Sequence, residues 1–125
     1  MHKILIVDDE QHTRNLFSKL LRKEDYELLF AVDGEEGLHM AESEAPACII
    51  LDYQMPVLNG ADMLRRLRAT EWGAHIPVIF VTASSQTQML SELENDSLVL
   101  LKPIDTQLLL GHVQRLIAGD VTSTA

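Results

Sequence analysis

Short apolar runs alternate along this chain with longer amphipathic stretches. Five of the runs have the length and composition of β-strands: Lys3–Val7, Glu27–Ala31, Ala47–Leu51, Val78–Val81 and Leu98–Leu101. Strands that alternate with helical stretches are typical of repeated βα units in a parallel sheet. The runs after the second are apolar almost without interruption, so we expect them in the middle of the sheet with helices on both faces.

The amphipathic stretches predict helices that each pack an apolar stripe against the sheet. The first is expected over Gln11–Lys23, with a stripe formed by Leu16, Phe17, Leu20 and Leu21. Three others are expected to begin after the capping residues Asp33, Asn59 and Asp105 and to end near Glu44, Thr70 and Ala118. A further helix, short and less regular, is expected between Thr82 and Leu98.

Length and composition describe an ordinary globular chain. Its 125 residues suit one domain, which we expect at 1–119 as a doubly wound α/β fold. Gly119 should stop the last helix, leaving 120–125 as a frayed tail or linker stub. No apolar run approaches the roughly 20 residues that span a bilayer, and the first run is too short for a signal peptide. We therefore expect a cytoplasmic protein that does not act at a membrane.

Charge and cysteine content remove other classes of function. The chain has 19 acidic and 10 basic residues, a formal net charge of -9. Direct binding of nucleic acid by this domain is therefore not expected, because a phosphate backbone is held by clustered lysine and arginine. Cys48 is the only cysteine, so no intrachain disulfide can form, and its apolar surroundings predict a buried residue.

Polar groups follow four of the predicted strands at the point where each strand ends. They are Asp8, Asp9, Asp52, Thr82 and Lys102. The carboxyl ends of parallel strands meet along one edge of a sheet, so these groups should converge there. Two carboxylates about 4 Å apart repel one another by about 4 kcal/mol at the effective dielectric of a protein surface. A cation must hold them together, and Mg²⁺ fits such an oxygen donor set best.

This set of groups suits phosphoryl transfer to an aspartate. Asp52 is the central acid, and a carboxylate can attack phosphorus to give an acyl phosphate. Mg²⁺ and Lys102 would stabilise charge on the phosphoryl oxygens, while the Thr82 hydroxyl and the Ala83 backbone N–H donate hydrogen bonds. Taken singly, an Asp-Asp pair is more often a turn or a helix cap, and a lone threonine or Lys-Pro is commonplace. Their joint placement carries the prediction.

The chain resembles the receiver domains of two-component response regulators over Lys3–Ala118. The motifs that carry the resemblance are the acidic segment Ile4–Glu10, the phosphoacceptor segment Ile50–Gly60, the run Ile76–Ala83 and the final Leu101–Pro103. In combination they are highly specific. The resemblance implies a flavodoxin-like sheet with strand order 2-1-3-4-5.

The resemblance also implies roles for individual residues. Asp52 would be phosphorylated, and Asp9 and Asp52 would ligate Mg²⁺ directly together with the Gln54 carbonyl. Asp8 would hold the ion directly or through water. Thr82 and Lys102 would bind the phosphoryl group, and the peptide bond that joins Lys102 to Pro103 is expected to be cis.

Partners follow from the same resemblance. The phosphodonor would be a histidine kinase or a histidine phosphotransfer protein, and phosphorylation would switch a protein-interaction surface. Such a domain catalyses only its own phosphorylation and dephosphorylation, so we do not expect an enzyme acting on other molecules. An attached or separate effector and a homodimer stay open. A start at Met1, just ahead of the first strand, favours an N-terminal or single-domain response regulator.

The outward positions of the first predicted helix are candidates for docking the phosphodonor. They include Arg14 and Phe17, which lie beside the predicted phosphate site. The alternative for Phe17, that it packs inward against the sheet, has equal weight.

The chain departs from the family pattern in two places. Many receivers have an aromatic residue three positions before the lysine, and here that position is Val99. The segment from Thr82 to Lys102 is also shorter than is usual, with Glu94-Asn95-Asp96 where Ala-Gly is familiar. These departures predict a short or displaced helix in that segment and an output surface of atypical shape.

Two other functions share part of this residue pattern. Aspartate-nucleophile phosphatases of the haloacid dehalogenase type also combine aspartate, threonine, lysine and Mg²⁺, but they carry Asp-x-Asp and a cap domain. This chain has adjacent Asp8 and Asp9 and no room for a cap. A receiver that no longer uses phosphate, and serves as an interaction or dimerisation module, is disfavoured by the intact acids, Thr82 and Lys102.

Overall fold

The computed structural model describes residues 2–53, 55, 57–83 and 97–119. Within them five strands and four helices follow in the order β1 His2–Val7, α1 Gln11–Arg22, β2 Tyr26–Ala31, α2 Gly34–Glu44, β3 Cys48–Asp52, α3 Gly60–Arg68, β4 Val78–Thr82, β5 Leu98–Leu101 and α4 Thr106–Ile117. The helix predicted between Thr82 and Leu98, and the tail at 120–125, lie outside the described residues.

The five strands form one parallel sheet in the order β2-β1-β3-β4-β5. This confirms the predicted α/β fold and strand order, and each predicted strand matches the observed one to within a residue. One expectation was wrong. The strand β5 lies at an edge of the sheet rather than in the middle, and its side chains are half-buried or exposed. A continuous apolar run does not by itself distinguish an edge strand from a central one.

Helices cover both faces of the sheet and bury two apolar cores. On one face α1 and α4 contribute Phe17, Leu21, Leu109 and Val113 to a core with alternate residues of β1, β3 and β4. On the other face α2 and α3 contribute Ala41, Met63, Leu64 and Leu67. Because β1, β3 and β4 are covered on both sides, the polar residues that follow them are held at a rigid edge.

Three predicted helix caps are present. The side chains of Asp33, Asn59 and Asp105 accept hydrogen bonds from backbone N–H groups in the first turns of α2, α3 and α4 at 2.8–3.1 Å. The helix α3 ends at Arg68, two residues before the predicted end, because the Thr70 hydroxyl donates to the Leu67 carbonyl and competes with helical hydrogen bonding.

The predicted apolar stripe of α1 is only partly correct. Phe17 and Leu21 are buried, whereas 44% of Leu16 is exposed. Successive residues turn by about 100° around a helix, so Leu16 lies well outside the arc centred on Phe17 and Leu21. Because Phe17 packs inward, it is not part of the predicted docking surface.

None of the described helices is both long enough and apolar enough to cross a bilayer.

Candidate functional site

The sheet register places the predicted polar groups together. Val7 of β1 pairs with Leu51 of β3, so Asp8 follows one strand where Asp52 ends the other. On the far side Thr82 of β4 pairs with Leu101 of β5, and Lys102 follows directly. The site therefore forms at the carboxyl edge of the four strands β1, β3, β4 and β5.

Three carboxylates cluster at this edge. One oxygen from each of Asp8, Asp9 and Asp52 can be chosen so that all three atoms lie within 4.8 Å of one another. Asp8 and Asp52 are buried, with 2% and 7% of their surfaces exposed, while Asp9 is exposed. Because burial weakens screening by water, mutual repulsion in this cluster is strong.

Within the described part of the chain, one ammonium group faces the cluster. The Nζ atom of Lys102 lies 3.4 Å from Oδ1 of Asp52. The backbone N–H of Lys102 donates to the Thr82 carbonyl at 2.9 Å, which continues the pairing of β4 and β5 up to the site. The peptide bond before Pro103 is cis, as predicted. A single lysine offsets only one of the three negative charges.

Asp8 and Asp52 respond to burial by holding protons more tightly. Burial raises the pKa of Asp8 to about 6, opposed by a hydrogen bond from the backbone of Glu10 and reinforced by the charge of Asp52. Burial likewise raises the pKa of Asp52, although the Lys102 ammonium and the backbone N–H of Tyr53 act in the other direction. In both cases burial is the largest cause, and a neighbouring carboxylate adds to it.

The donor set fits a hard divalent cation. Mg²⁺ binds through one or two carboxylates and retains several waters, and here up to three carboxylate oxygens lie close enough to share one ion. An ion would also offset the charge of Asp52, which adds to burial in raising the pKa of Asp8. The predicted fourth ligand, the Gln54 carbonyl, lies outside the described residues, so its placement stays a prediction.

The two remaining predicted residues end and follow β4. Thr82 is buried, with 2% of its surface exposed, and Ala83 is exposed at the edge of the site. Val99 is partly buried against the core under α2 and α3. The structure therefore has an aliphatic side chain where many receivers have an aromatic one.

A close backbone approach brings the start of α3 against the end of β3. The backbone N–H of Gly60 donates to the Tyr53 carbonyl at 2.9 Å, and a Cβ atom at Gly60 would collide with the carbonyl oxygen of Asp52. Glycine is therefore required at the start of α3. Sequence reasoning identified the Asn59 cap here but not this contact.

Sequence reasoning also missed a contact made by Arg14. Its guanidinium Nη1 donates to the backbone carbonyl of Asp8 at 2.7 Å, and the residue stays half-buried beside the acidic turn. The available signal was a basic residue in the first turns of α1, shortly after the acid pair.

Comparison with known proteins agrees with the fold. The sequence matches the response regulator receiver domain family over residues 4–114, and the chain belongs to that family. It is 32% identical to the protein PilH of Pseudomonas aeruginosa over 95% of this chain and 100% of PilH. It is also 36% identical to the response regulator PleD of Caulobacter vibrioides over 91% of this chain, which spans 26% of the length of PleD.

A solved structure of a receiver domain is also similar to this chain. The receiver domain of a sensor histidine kinase from Pseudomonas aeruginosa has a TM-score of 0.84 and 28% identity, covering 94% of this chain and 98% of that one. That structure has a magnesium ion coordinated in its active site cleft. The chain is thus a receiver domain of the kind found in two-component response regulators.

Proposed function

We propose that this domain accepts a phosphoryl group on Asp52 from a phosphohistidine donor, with Mg²⁺ as cofactor. The observation that carries the proposal is the position of the Asp52 carboxylate. It is nearly buried, shares a cluster with Asp8 and Asp9, and lies 3.4 Å from the Lys102 ammonium. Asp52 is therefore the one acid of the cluster with both metal-ligating neighbours and a cation beside it.

The ion would be held by the carboxylates of Asp8, Asp9 and Asp52 and, from the family resemblance, by the Gln54 carbonyl. When bound, Mg²⁺ supplies positive charge for the phosphoryl oxygens and brings the donor phosphate to the acidic edge. Residues of this chain supply the nucleophile and the other contacts to the phosphoryl group.

The transfer replaces one bond to phosphorus with another. An oxygen of Asp52 attacks phosphorus as the P–N bond of the donor breaks, and the departing imidazole nitrogen keeps the electron pair of that bond. Lys102, the Thr82 hydroxyl and the Ala83 N–H would hold the phosphoryl oxygens. Hydrolysis by water restores the carboxylate, so the chemistry serves signalling and turns over no other substrate.

A groove beside α1 is the proposed docking surface for the donor. It has a volume of about 540 Å³ and is lined by Leu16, Lys19, Leu20, Arg22, Lys23 and Thr106. Of the two positions that the sequence suggested, Phe17 is buried, whereas Arg14 is half-buried with its guanidinium on the Asp8 carbonyl. The lining combines apolar side chains with three cations in a chain of net charge -9. A donor with acidic residues around an apolar helix face would fit it.

We further propose that the receiver domain occupies 1–119, and that it acts in the cytoplasm. PilH is matched along its whole length, whereas PleD continues well beyond the matched part. An effector attached to this chain, a separate effector and a homodimer are all compatible with a receiver.

Small phosphodonors test this proposal. Incubation with phosphoramidate and Mg²⁺ should add one phosphate to the intact protein, measured by mass spectrometry. Replacing Mg²⁺ with EDTA should prevent the gain, because the carboxylates then repel the donor. Hydroxylamine should remove the label, since it cleaves acyl phosphates but not phosphoserine. Labelling that persists in EDTA or resists hydroxylamine would contradict the proposal.

A further inference from the structure

The turn between β1 and α1 is closed by three hydrogen bonds. The backbone N–H of Glu10 donates to Oδ1 of Asp8 at 2.9 Å, and the backbone N–H of Arg14 donates to the Glu10 carbonyl at 3.1 Å. The Arg14 guanidinium then donates to the Asp8 carbonyl at 2.7 Å. These contacts form a ring that runs from Asp8 through Glu10 to Arg14 and back.

The helix α1 has little else to fix its beginning. Its N-cap residue Glu10 makes no side-chain capping hydrogen bond, and no acidic residue lies in its first turn. By contrast α2, α3 and α4 each have a capping side chain. The Arg14 side chain is therefore a contact that ties the first turns of α1 to the end of β1.

Asp9 lies inside this ring and depends on it. It is exposed, and among the described residues no hydrogen bond or ion pair to its side chain is present. Its carboxylate direction is therefore set by the backbone on either side, at Asp8 and Glu10. Both of those residues belong to the ring that Arg14 closes.

We propose that Arg14 is a positioning residue for the cation site. Its guanidinium holds the turn so that the carboxylates of Asp8 and Asp9 stand together before an ion arrives. This inference rests on the proposed Mg²⁺ site but assigns Arg14 a task that involves no contact with the ion or the phosphoryl group. Contacts that orient metal ligands from behind commonly account for about 10- to 100-fold in metal affinity.

If only its charge mattered, removing the Arg14 guanidinium would change the Mg²⁺ affinity in the opposite direction. The sign of the change therefore tests the proposal. A guanidinium near the site repels Mg²⁺, so removing it would tighten binding if Coulomb forces dominated. If Arg14 acts by holding the turn, removing its donors should weaken binding instead. The direction of the change therefore separates the two accounts.

The test is a calorimetric Mg²⁺ titration of the folded protein at pH 7. Arg14→Met keeps an unbranched stem to pack but cannot donate, and we expect its dissociation constant for Mg²⁺ to rise about tenfold. Arg14→Lys restores a donor and should recover part of the loss. Arg66→Met makes the same change at an exposed position of α3 and should leave the dissociation constant unchanged.

The outcomes are distinguishable. Circular dichroism at the titration temperature would verify that each variant is folded, so global destabilisation cannot mimic weaker binding. Equal or tighter Mg²⁺ binding by Arg14→Met would overturn the role of Arg14 while leaving the metal site intact. Absence of Mg²⁺ binding by the unaltered protein would overturn the metal site itself, and this inference with it.

Discussion

Replacing Asp52 with asparagine should abolish phosphorylation by phosphoramidate and Mg²⁺ while leaving the fold intact. Asparagine has nearly the same shape but an amide in place of the nucleophilic carboxylate, so no acyl phosphate can form. The substitution also removes one of three clustered negative charges, which relieves repulsion with Asp8 and Asp9. We therefore expect complete loss of the phosphate-sized mass gain without a loss of stability.

Asp25→Asn is the matched control for that experiment. Asp25 is exposed and precedes β2, at the opposite edge of the sheet from the site. This variant should be labelled as the unaltered protein is. Equal labelling of the Asp52 and Asp25 variants would show that another residue is modified.

The second large effect concerns the dependence of stability on pH without metal. Burial raises the pKa of Asp8 to about 6, whereas its ordinary value is 3.8. Between these values the folded protein binds more protons than the unfolded chain, so the free energy of unfolding falls as pH rises. In EDTA we expect a loss of up to about 3 kcal/mol from this group between pH 4 and pH 7.

Asp8→Asn isolates this contribution. Its neutral side chain can still accept a hydrogen bond from the Glu10 N–H. The free energy of unfolding of the variant should therefore not fall between pH 4 and pH 7, and at pH 7 it should exceed that of the unaltered protein. At pH 4 the difference should be small. Urea unfolding in EDTA at several pH values measures it, and Mg²⁺ should stabilise the unaltered protein more than the variant. Parallel pH curves for the two proteins would refute the assignment to Asp8.

Much of the site could be predicted because residues that follow the strands of a parallel sheet lie close together at one edge, even when they are far apart in sequence. Apolar runs located the strands, and the residue after each run located Asp8, Asp52 and Lys102 at one edge. Caps such as Asp33 followed from the local preference of their side chains for free N–H groups. These features depend on residue type and spacing alone.

Other features depend on how elements pack, and sequence spacing does not determine them. The position of β5 at the sheet edge and the outward direction of Leu16 follow from which surfaces neighbouring elements cover. The contact of Arg14 with the Asp8 carbonyl depends on the angle at which α1 leaves β1. Gly60 is required by a backbone approach that forms only after β3 and α3 pack.

The most direct test is to locate the phosphoryl group on the unaltered protein. Borohydride reduces an aspartyl phosphate to homoserine, and fragmentation mass spectrometry of the reduced chain then identifies the position. We predict homoserine at position 52 alone, formed after phosphoramidate and Mg²⁺ and not after phosphoramidate with EDTA. Homoserine at another position, or none in a protein that has gained a phosphate, would contradict a phosphoacceptor built around Asp52.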